Sequence, residues 1–424
     1  MVQKMLDFIH NSPDCYCAVD SIANRLTESG YQRIDFSNWN IQYGGKYFTV
    51  RNESSIIAFS VPETETDGFT IAAAHTDSPC LRIRGKSELE SDYICLETER
   101  YGGMIESTWK DRPLSAAGRV MVRKENGIKS CHVNIAEPIA IIPSVAPHIS
   151  KGMQPNATKD LTALFGECTA KGTFLHMLAD AASCLPEDIV SFDMILYNNQ
   201  PGYIWGPNGE FVSSPRLDDL SCVYAGLEAF LLSNGKSKIS VFCAFHNEEI
   251  GSETRQGAAS DFLPEVLRAI TESLGKDRAE HRAMLQNSLI LSCDNGHAIH
   301  PNYPELSDKN EAPTLNGGVV IKHSPRYATD AFSSAVFSEL CHRAGVKVQH
   351  YSNRPDITGG TTLGNIANTS TPGCMVDIGI AQLAMHSSYE TMGSRDIPEM
   401  VRAIKTCYET DFFVGQSEIF VKST

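Results

Sequence analysis

The chain has 424 residues, of which 42% are hydrophobic, and its 51 acidic against 36 basic residues give a formal net charge of -15. A chain of this size and apolar content can bury a substantial core and fold as two or three domains. Its acidic balance excludes a protein that binds nucleic acid or an anionic membrane through its overall charge.

The first residues and the cysteines indicate a compartment. The first thirty residues carry acidic and polar groups where a signal peptide needs an unbroken apolar stretch, and no later apolar run approaches a membrane span. The 13 cysteines are scattered without CxxC spacing, and several lie in apolar runs such as VFCAF. This pattern favours reduced, mostly buried thiols over a disulfide framework or a zinc knuckle. We therefore expect a cytoplasmic protein.

The first predicted core element is the apolar run Phe69 to Ala74, which is typical of a buried strand. From about residue 87 to 205, polar and apolar residues then alternate in stretches such as YICLETE and GRVMVRK. Alternation of this kind indicates half-buried strands. One clear helical pattern lies within it, at Thr173 to Ala182. We therefore predict a β-rich insertion over residues 87–205.

Beyond the insertion, helical and strand patterns alternate. In chain order they predict a helix at Leu217 to Leu232, strands at Ile239 to Phe245 and Ser288 to Cys293, a helix at Ala331 to Ala344 and a strand at Met375 to Ile380. Such alternation is typical of an α/β domain with a largely parallel sheet. The predicted domains are therefore a discontinuous α/β domain, residues 1–86 with 206–424, and the insertion 87–205.

Polar residues follow the first strand in the motif AAHTDS, which contains His75 and Asp77. Open α/β sheets place their ligands at the carboxyl ends of the strands. His75 can therefore be a metal ligand there, with Asp77 accepting its other ring proton. A lone histidine at a strand end is more often structural, and that alternative stays open on local sequence alone.

Two aspartates, Asp218 and Asp219, stand at the start of a strong helical pattern in SPRLDDL. A carboxylate that caps the helix is the simpler interpretation. A carboxylate that bridges two metal ions is also well placed at a helix start. In that interpretation Asp219 caps the helix while Asp218 faces the site.

The most specific motif is HNEEIGS, directly after the predicted strand ISVFCAF. Two adjacent glutamates at a strand-to-loop transition point in different directions, so one can bind a metal while the other faces the water that the metal activates. A solvated acidic turn is the alternative. It is disfavoured because a buried strand delivers these charges to a sheet edge, where burial without a cation is costly.

Two more candidates follow strands: Asp294 after LILSC, and His386 after MVDIGI. Five metal-type residues thus follow sheet elements or open a helix, namely His75, Asp218, Glu249, Asp294 and His386. One bridging carboxylate, with one histidine and one carboxylate per ion, gives each ion three protein ligands and an open position for a shared water. Glu248 is left to act as general base and then general acid.

At these motifs the sequence resembles the M18 peptidase family, the aspartyl aminopeptidases. SPRLDDL, HNEEIGS, SCDNGHAIHPNY and QLAMHS are similar to that family's blocks in its order, and the resemblance runs across nearly the whole chain. It implies an aminopeptidase with two divalent ions per subunit, zinc first with cobalt or manganese as alternatives. It also implies a three-layer α/β/α core with a β-rich dimerisation or lid insertion, and homo-oligomers in which dimers assemble to a dodecamer.

The resemblance also implies roles for individual residues. His75, Asp218 and Asp294 would hold one ion, and Asp218, Glu249 and His386 the other, with Glu248 as acid and base. His148 resembles a family histidine that reaches a neighbouring subunit's active site. Lys322 in GVVIK resembles the lysine that meets acidic substrate side chains, and Tyr327 is a candidate wall of that pocket. Peptides with N-terminal Asp or Glu are then the expected substrates.

The chain departs from the family at two places. Position 219 is Asp where many relatives have Asn, which adds a charge but spares the proposed bridge. The loop between Lys322 and Arg326 looks shorter than in typical relatives, which bears on substrate preference. Two alternatives follow: a related di-metal exopeptidase with a neutral N-terminal preference, and a catalytically inactive scaffold relative.

Overall fold

The computed structural model of the protein describes residues 1–35, 39–151, 156–357, 359–360, 362–415 and 418–421. Over these residues the chain combines a mixed central sheet, a closed β-barrel, two smaller sheets and helices. The α/β class expected from the sequence is confirmed. Within the described ranges, no helix combines the length and the apolarity that a bilayer crossing requires.

The central sheet has nine strands among the described residues. Their spatial order is Gln32–Arg33, Lys46–Arg51, Ser55–Ser60, Ile239–Phe245, Phe69–His75, Leu289–Cys293, Cys374–Gly379, Val319–His323 and Val348–Ser352. The four strands from Ile239–Phe245 to Cys374–Gly379 run parallel to one another. They correspond to the four strands that the sequence predicts. Ser55–Ser60 and Val319–His323 pair antiparallel with this central group, so the sheet is mixed, while five of its eight described strand pairings are parallel, as the sequence predicts.

Alternate residues of the central strands belong to two separate hydrophobic clusters. Ala72 and Ala74 lie in one cluster, and Ile71 and Ala73 in the other, as the alternating direction of strand side chains requires. The first cluster contains residues of helices Val2–His10, Cys15–Glu28, Leu217–Leu232, Ala331–Arg343 and Asp396–Glu409. The second contains residues of Phe262–Ser273, Arg278–Gln286 and Leu363–Ala367. Both faces of the sheet are therefore covered by helices and apolar side chains.

The β-rich part of the chain closes into a six-stranded barrel. Around the barrel the strands are Ile189–Tyr197, Cys80–Glu90, Tyr93–Tyr101, Ala163–Glu167, Gly127–Ile141 and Pro113–Lys124. Its own core includes Leu81 and Val120 from the strands and Phe174 from helix Thr173–Ala182. Helix Ala157–Asp160 also lies in this part of the chain. Closure pairs the edge strands with each other and leaves the described barrel without a free edge. The side chains inside the barrel form a hydrophobic cluster separate from those of the sheet.

The barrel and the predicted insertion differ at their boundaries. The first barrel strand begins at Cys80, so the expected boundary at 87 falls inside a strand. The last barrel strand ends at Tyr197, before the expected boundary at 205. Charged residues in LRIRGKSELE weaken the strand signal there, because the outer face of the barrel is exposed. The division into residues 1–86 with 206–424 and residues 87–205 stays a prediction.

Two smaller sheets complete the described fold. The larger contains Tyr203–Trp205, Phe211–Ser214, Glu390–Gly393, Ala381–Leu383 and Gly296–His297, in that order. The smaller is the antiparallel pair Phe412–Val414 and Ile419–Val421. In the larger sheet Ser214 pairs with Glu390, which brings the segment before Asp218 next to the segment that follows His386.

Candidate metal centre

Three parallel strands deliver candidate ligands to one edge of the central sheet. His75 is the last residue of Phe69–His75, Glu248 and Glu249 form a short helical turn after Ile239–Phe245, and Asp294 directly follows Leu289–Cys293. Because these strands are neighbours and parallel, their carboxyl ends meet at the same edge. The sheet register therefore brings together residues that are far apart in sequence.

The remaining two candidates arrive from other elements. Asp218 lies in the first turn of helix Leu217–Leu232, where its own backbone and that of Asp219 are not yet helical and the peptide bond between them is cis. His386 lies in the turn after strand Ala381–Leu383, with a positive φ of 67°. Asp218 lies next to His75, and His386 lies next to Glu249, so both residues join the candidates at the carboxyl edge of the sheet.

The five predicted metal ligands form one cluster arranged around Asp218. Asp218 Oδ1 lies 3.6 Å from His75 Nε2, and Asp218 Oδ2 lies 3.6 Å from His386 Nε2. His75 Nε2 is 3.9 Å from Asp294 Oδ1, and His386 Nε2 is 3.4 Å from Glu249 Oε2. Ligand atoms about 2.0–2.1 Å from a tetrahedral ion are separated by about 3.3–3.4 Å. The observed separations are close to that value on both sides of Asp218.

The polar atoms of the cluster fit bound cations. Asp218 Oδ1 and Glu249 Oε1 are buried without a hydrogen-bond partner among the described residues. Burial, and then the charge of Asp218, raise the pKa of Glu249 well above its usual range. Burial likewise raises the pKa of Asp219, and the charges of Asp294 and Asp218 add to this against the effect of His75. Without cations these carboxylates cannot all be ionised, and a divalent ion removes that conflict.

Asp77 organises the ligands mainly through its carboxylate. Oδ1 accepts the backbone N–H of Glu248 and Oδ2 that of Glu249, each at 3.2 Å. The expectation that the Asp77 carboxylate accepts the ring proton of His75 needs correction. His75 Nδ1 lies 3.0 Å from the main-chain oxygen of Asp77 and 3.6 Å from Oδ1. The tight turn after the strand directs this carbonyl toward the ring and leaves the carboxylate to the two glutamates.

Glu248 lies beside the cluster and is half-buried. Burial raises the pKa of its carboxyl from 4.5 to about 8, and the charges of Asp294, Asp77 and Asp218 add to this, with His75 opposing. A carboxyl with such a pKa can hold or release a proton near neutral pH. Glu248 therefore has the properties of a proton carrier.

Lys322 and Tyr327 lie together next to one side of the cluster. Lys322 Nζ donates to Asp294 Oδ2 at 2.9 Å and to the main-chain oxygen of Asn295 at 3.1 Å, and it sits 5.5 Å from the Tyr327 ring centre. Burial opposes ionisation of Asp294, but the charges and hydrogen bonds of Lys322 and His75 together outweigh it and lower the Asp294 pKa. Lys322 is only 2% exposed and contacts a candidate metal ligand directly, so it is no ordinary surface lysine.

His148 is not part of the cluster within this subunit. It lies in an exposed turn after barrel strand Gly127–Ile141, and the clustered donors among the described residues do not include it.

Two positioning carboxylates could not be assigned from the sequence. Asp219 Oδ2 accepts the backbone N–H of His75 at 3.2 Å, so its described hydrogen bond reaches the neighbouring strand and not the helix that it was expected to cap. Glu390 is 1% exposed; its Oε2 accepts the N–H of Asp218 at 3.0 Å and its Oε1 that of His386 at 2.7 Å. The only sequence signal for Glu390 is an acidic residue at the start of a buried strand.

The comparisons with known proteins agree with this geometry. A family model described as aminopeptidase I zinc metalloprotease (M18) matches residues 8–408. The probable M18 family aminopeptidase 2 of Clostridium acetobutylicum is 42% identical over 411 residues, covering 93% of this chain and 95% of its own length. The protein of the same name from Ectopseudomonas mendocina is 36% identical over 427 residues, with 97% and 98% covered.

Solved structures have the same fold. A chain in the cryo-EM structure of the Ape4 and Nbr1 complex matches with a TM-score of 0.92 at 35% identity, covering 96% of this chain and 85% of that chain. The S. cerevisiae mApe1 dodecamer matches with a TM-score of 0.85 at 28% identity, covering 96% and 95%. The fold and the matches together define a metallopeptidase, and thus a hydrolase. The chain belongs to the M18 family of aminopeptidases, as its motifs indicate.

The first prediction concerns protein from which metal has been removed. The pKa of Glu248 is raised in the folded state, so its contribution to stability is complete below the unfolded value near 4.5 and is lost as pH rises through about 8. Chelator-treated protein should therefore lose thermal stability over that range more steeply than metal-loaded protein. Glu248→Gln should reduce the slope in chelated protein. Melting temperatures with the same pH slope in all three samples would contradict this assignment.

Proposed function

We propose that the protein is a di-metal aminopeptidase that uses two zinc ions to release the N-terminal residue of peptides. The observation that carries the proposal is the position of Asp218, whose two carboxylate oxygens face two different histidines at the same distance of 3.6 Å. A carboxylate shared in this way is what two adjacent ions require. Histidine nitrogens and carboxylate oxygens are ligands that zinc accepts, and cobalt or manganese are the alternatives.

In the proposed site, each ion has three protein ligands. His75, Asp218 and Asp294 hold one ion, and Asp218, Glu249 and His386 hold the other. Divalent ions bound there would supply Lewis acidity to the scissile carbonyl and to the attacking water. The protein's own contribution is a set of ligands whose backbone N–H groups are held by the acceptors Asp77, Asp219 and Glu390.

Glu248 is proposed to move the proton of the reaction. Its carboxylate takes a proton from the attacking water and returns it to the amine of the leaving peptide. Its position supports this role, because a carboxylate oxygen of Glu248 lies in one cluster of donor atoms with His75 and Glu249. Asp77 supports Glu248 by accepting its backbone N–H, which fixes the base of the side chain.

The proposed substrates are peptides with N-terminal Asp or Glu. The Lys322 ammonium has three N–H donors, and its described hydrogen bonds to Asp294 and Asn295 use two of them. The third is available for a substrate carboxylate beside the ring of Tyr327. One observation favours a neutral preference as the second candidate: the charge of Lys322 already has a partner in Asp294.

We further propose the architecture that the family resemblance implies. The two hydrophobic clusters support a three-layer α/β/α core, and the closed barrel supports an insertion that serves dimerisation or acts as a lid. The dodecamer of mApe1 supports a homo-oligomer built from dimers. Exposure of His148 on the barrel supports its reaching a neighbouring subunit's site. The 13 cysteines, all described and unpaired, support a reducing cytoplasm.

The second prediction tests the proton carrier. Glu248→Gln should keep the fold and the bound metal but lower kcat about 100- to 10,000-fold. The amide has nearly the same shape as the carboxylate but cannot take up and release a proton at neutral pH. The matched control is Glu253→Gln, at an exposed residue of the same loop, which should keep wild-type kcat. Metal content by mass spectrometry and kcat on aminoacyl chromogenic substrates would be measured. Near wild-type kcat in the metal-loaded Glu248→Gln variant would remove Glu248 from the mechanism.

The third prediction tests substrate preference. Lys322→Met should lower kcat/KM for N-terminal Asp and Glu substrates, relative to Leu or Ala substrates, by about tenfold to over a hundredfold, as expected for a charged hydrogen bond. All substrates should slow to some extent, since Lys322 also supports Asp294. The ratio of kcat/KM values is therefore the readout. Arg326→Met, at a nearby exposed cation, should leave the ratio unchanged.

Two results would favour the neutral-preference candidate. The wild-type enzyme could turn over Leu or Ala substrates faster than Asp or Glu substrates. Alternatively, Lys322→Met could slow every substrate by the same factor. Either result leaves the two-ion mechanism intact, because Lys322 is no metal ligand in it.

The fourth prediction tests a site shared between subunits. His148→Ala and Glu248→Gln should each be inactive alone, and mixing them under conditions of subunit exchange should restore part of the activity. Recovery is expected because some mixed interfaces pair an intact His148 with an intact Glu248. Each variant exchanged with itself is the control. If labelled subunits exchange and activity stays absent, His148 is a structural residue of the barrel.

A further inference from the structure

The barrel contacts the metal centre through the end of its strand Tyr93–Tyr101. The Tyr101 hydroxyl donates to Asp77 Oδ2 at 2.7 Å and accepts from Asn247 Nδ2 at 3.0 Å. The same oxygen, Asp77 Oδ2, accepts the backbone N–H of Glu249. A side chain of the barrel and the backbone of a proposed metal ligand therefore share one carboxylate oxygen.

The two glycines that follow Tyr101 pack directly against proposed ligands. Gly102 has a φ of +74°, and a methyl group added at its Cα would lie 3.1 Å from Glu249 Cβ and 3.3 Å from Glu249 Oε2. A methyl group at Gly103 would lie 3.5 Å from His386 Nδ1. The backbone of this segment thus packs beside two proposed ligands, and a methyl group at position 102 fits only if Glu249 moves by a few tenths of an ångström.

The contact continues along the chain. The Ile105 N–H donates to the main-chain oxygen of His386 at 3.1 Å. Two residues beyond His386, the Ser388 N–H donates to Thr108 Oγ1 at 3.0 Å and the Ser388 hydroxyl to the main-chain oxygen of Thr108 at 2.6 Å. These hydrogen bonds hold the turn that carries His386 against the barrel.

We propose that residues 101–105, which we call the clamp segment, are the positioning element for one of the two metal ions. The clamp segment contacts Glu249 and His386, which with Asp218 form the proposed second ion site. For the other ion, Lys322 binds Asp294 and Asp219 binds the His75 backbone. The His75 ring contacts the main-chain oxygen of Asp77 and not the carboxylate oxygen that Tyr101 binds. This inference rests on the proposed two-ion function. It assigns the barrel a role within its own subunit, because a displaced barrel would weaken one ion site before the other.

The experiment compares two glycine substitutions at similar positive φ angles, where alanine should add a similar backbone strain. Gly102→Ala places a methyl group against Glu249 at a φ of +74°, whereas Gly172→Ala has a φ of +79° and nothing within 4 Å of the added methyl group. Metal-free full-length protein is titrated with cobalt, and ions bound per subunit are followed by equilibrium dialysis and visible absorption. Thermal unfolding reports the backbone cost in both variants.

We expect wild type and Gly172→Ala to bind two ions per subunit. In Gly102→Ala, the proposed site that contains Glu249 and His386 should bind its ion about 10- to 100-fold more weakly, as is usual when a group supporting a ligand is changed. The site that contains His75 and Asp294 should bind as in wild type. Equal binding in Gly102→Ala and Gly172→Ala would overturn the inference, and so would equal weakening of both ions. Fewer than two ions in wild type would instead overturn the proposed two-ion function, and the inference with it.

A second pair of variants decides the case if Gly102→Ala does not fold. Tyr101→Phe removes the hydroxyl that binds Asp77, whereas Tyr197→Phe removes a buried hydroxyl that binds Asn134 inside the barrel wall. Tyr101→Phe should weaken the second ion, and Tyr197→Phe should bind both ions as wild type does. Identical titrations for these two variants would overturn the inference.

Discussion

The structure depends on the burial of several carboxylates at one sheet edge. Asp218 is 3% exposed, and burial, together with the charge of Asp218, raises the pKa of the Glu249 and Asp219 carboxyls. Burying such groups without a counter-charge is costly. His75 and Lys322 supply part of that counter-charge. Among the described carboxylates, Lys322 donates its hydrogen bond to Asp294. A bound cation would supply the rest of this counter-charge, and the two oxygens of Asp218 face the two groups of candidate ligands.

The fold meets this requirement by separating apolar and polar tasks. The parallel strands are covered on both faces, so their side chains stabilise the core and only their carboxyl ends carry chemistry. Hydrogen bonds from outside the strands then orient each ligand. Glu390 joins the backbone of Asp218 to that of His386, and Asp77 does the same for Glu248 and Glu249. The positions of the candidate ligands are thus fixed by buried carboxylates that accept hydrogen bonds from their backbone N–H groups.

The sequence predicts the four parallel strands and all five clustered candidate ligands, because each candidate follows a recognisable apolar run or begins a helical pattern. It could not predict the barrel's closure or its start at Cys80, since pairing between distant strands has no local signal. It also missed Glu390, Tyr101 and Gly102. Their importance arises largely from contacts with residues distant in sequence, such as Glu390 with Asp218, Tyr101 with Asn247 and Gly102 with Glu249, and the residue types alone are ordinary for a strand and its turn.

Anomalous diffraction from crystals of zinc-loaded protein tests the central claim most directly. The account predicts two anomalous peaks per subunit, about 3.5–4 Å apart, as is usual for paired metal sites. One peak should contact His75 and Asp294, the other Glu249 and His386, and both should contact Asp218. A single peak at full zinc occupancy, or two peaks without Asp218 between them, would contradict the account.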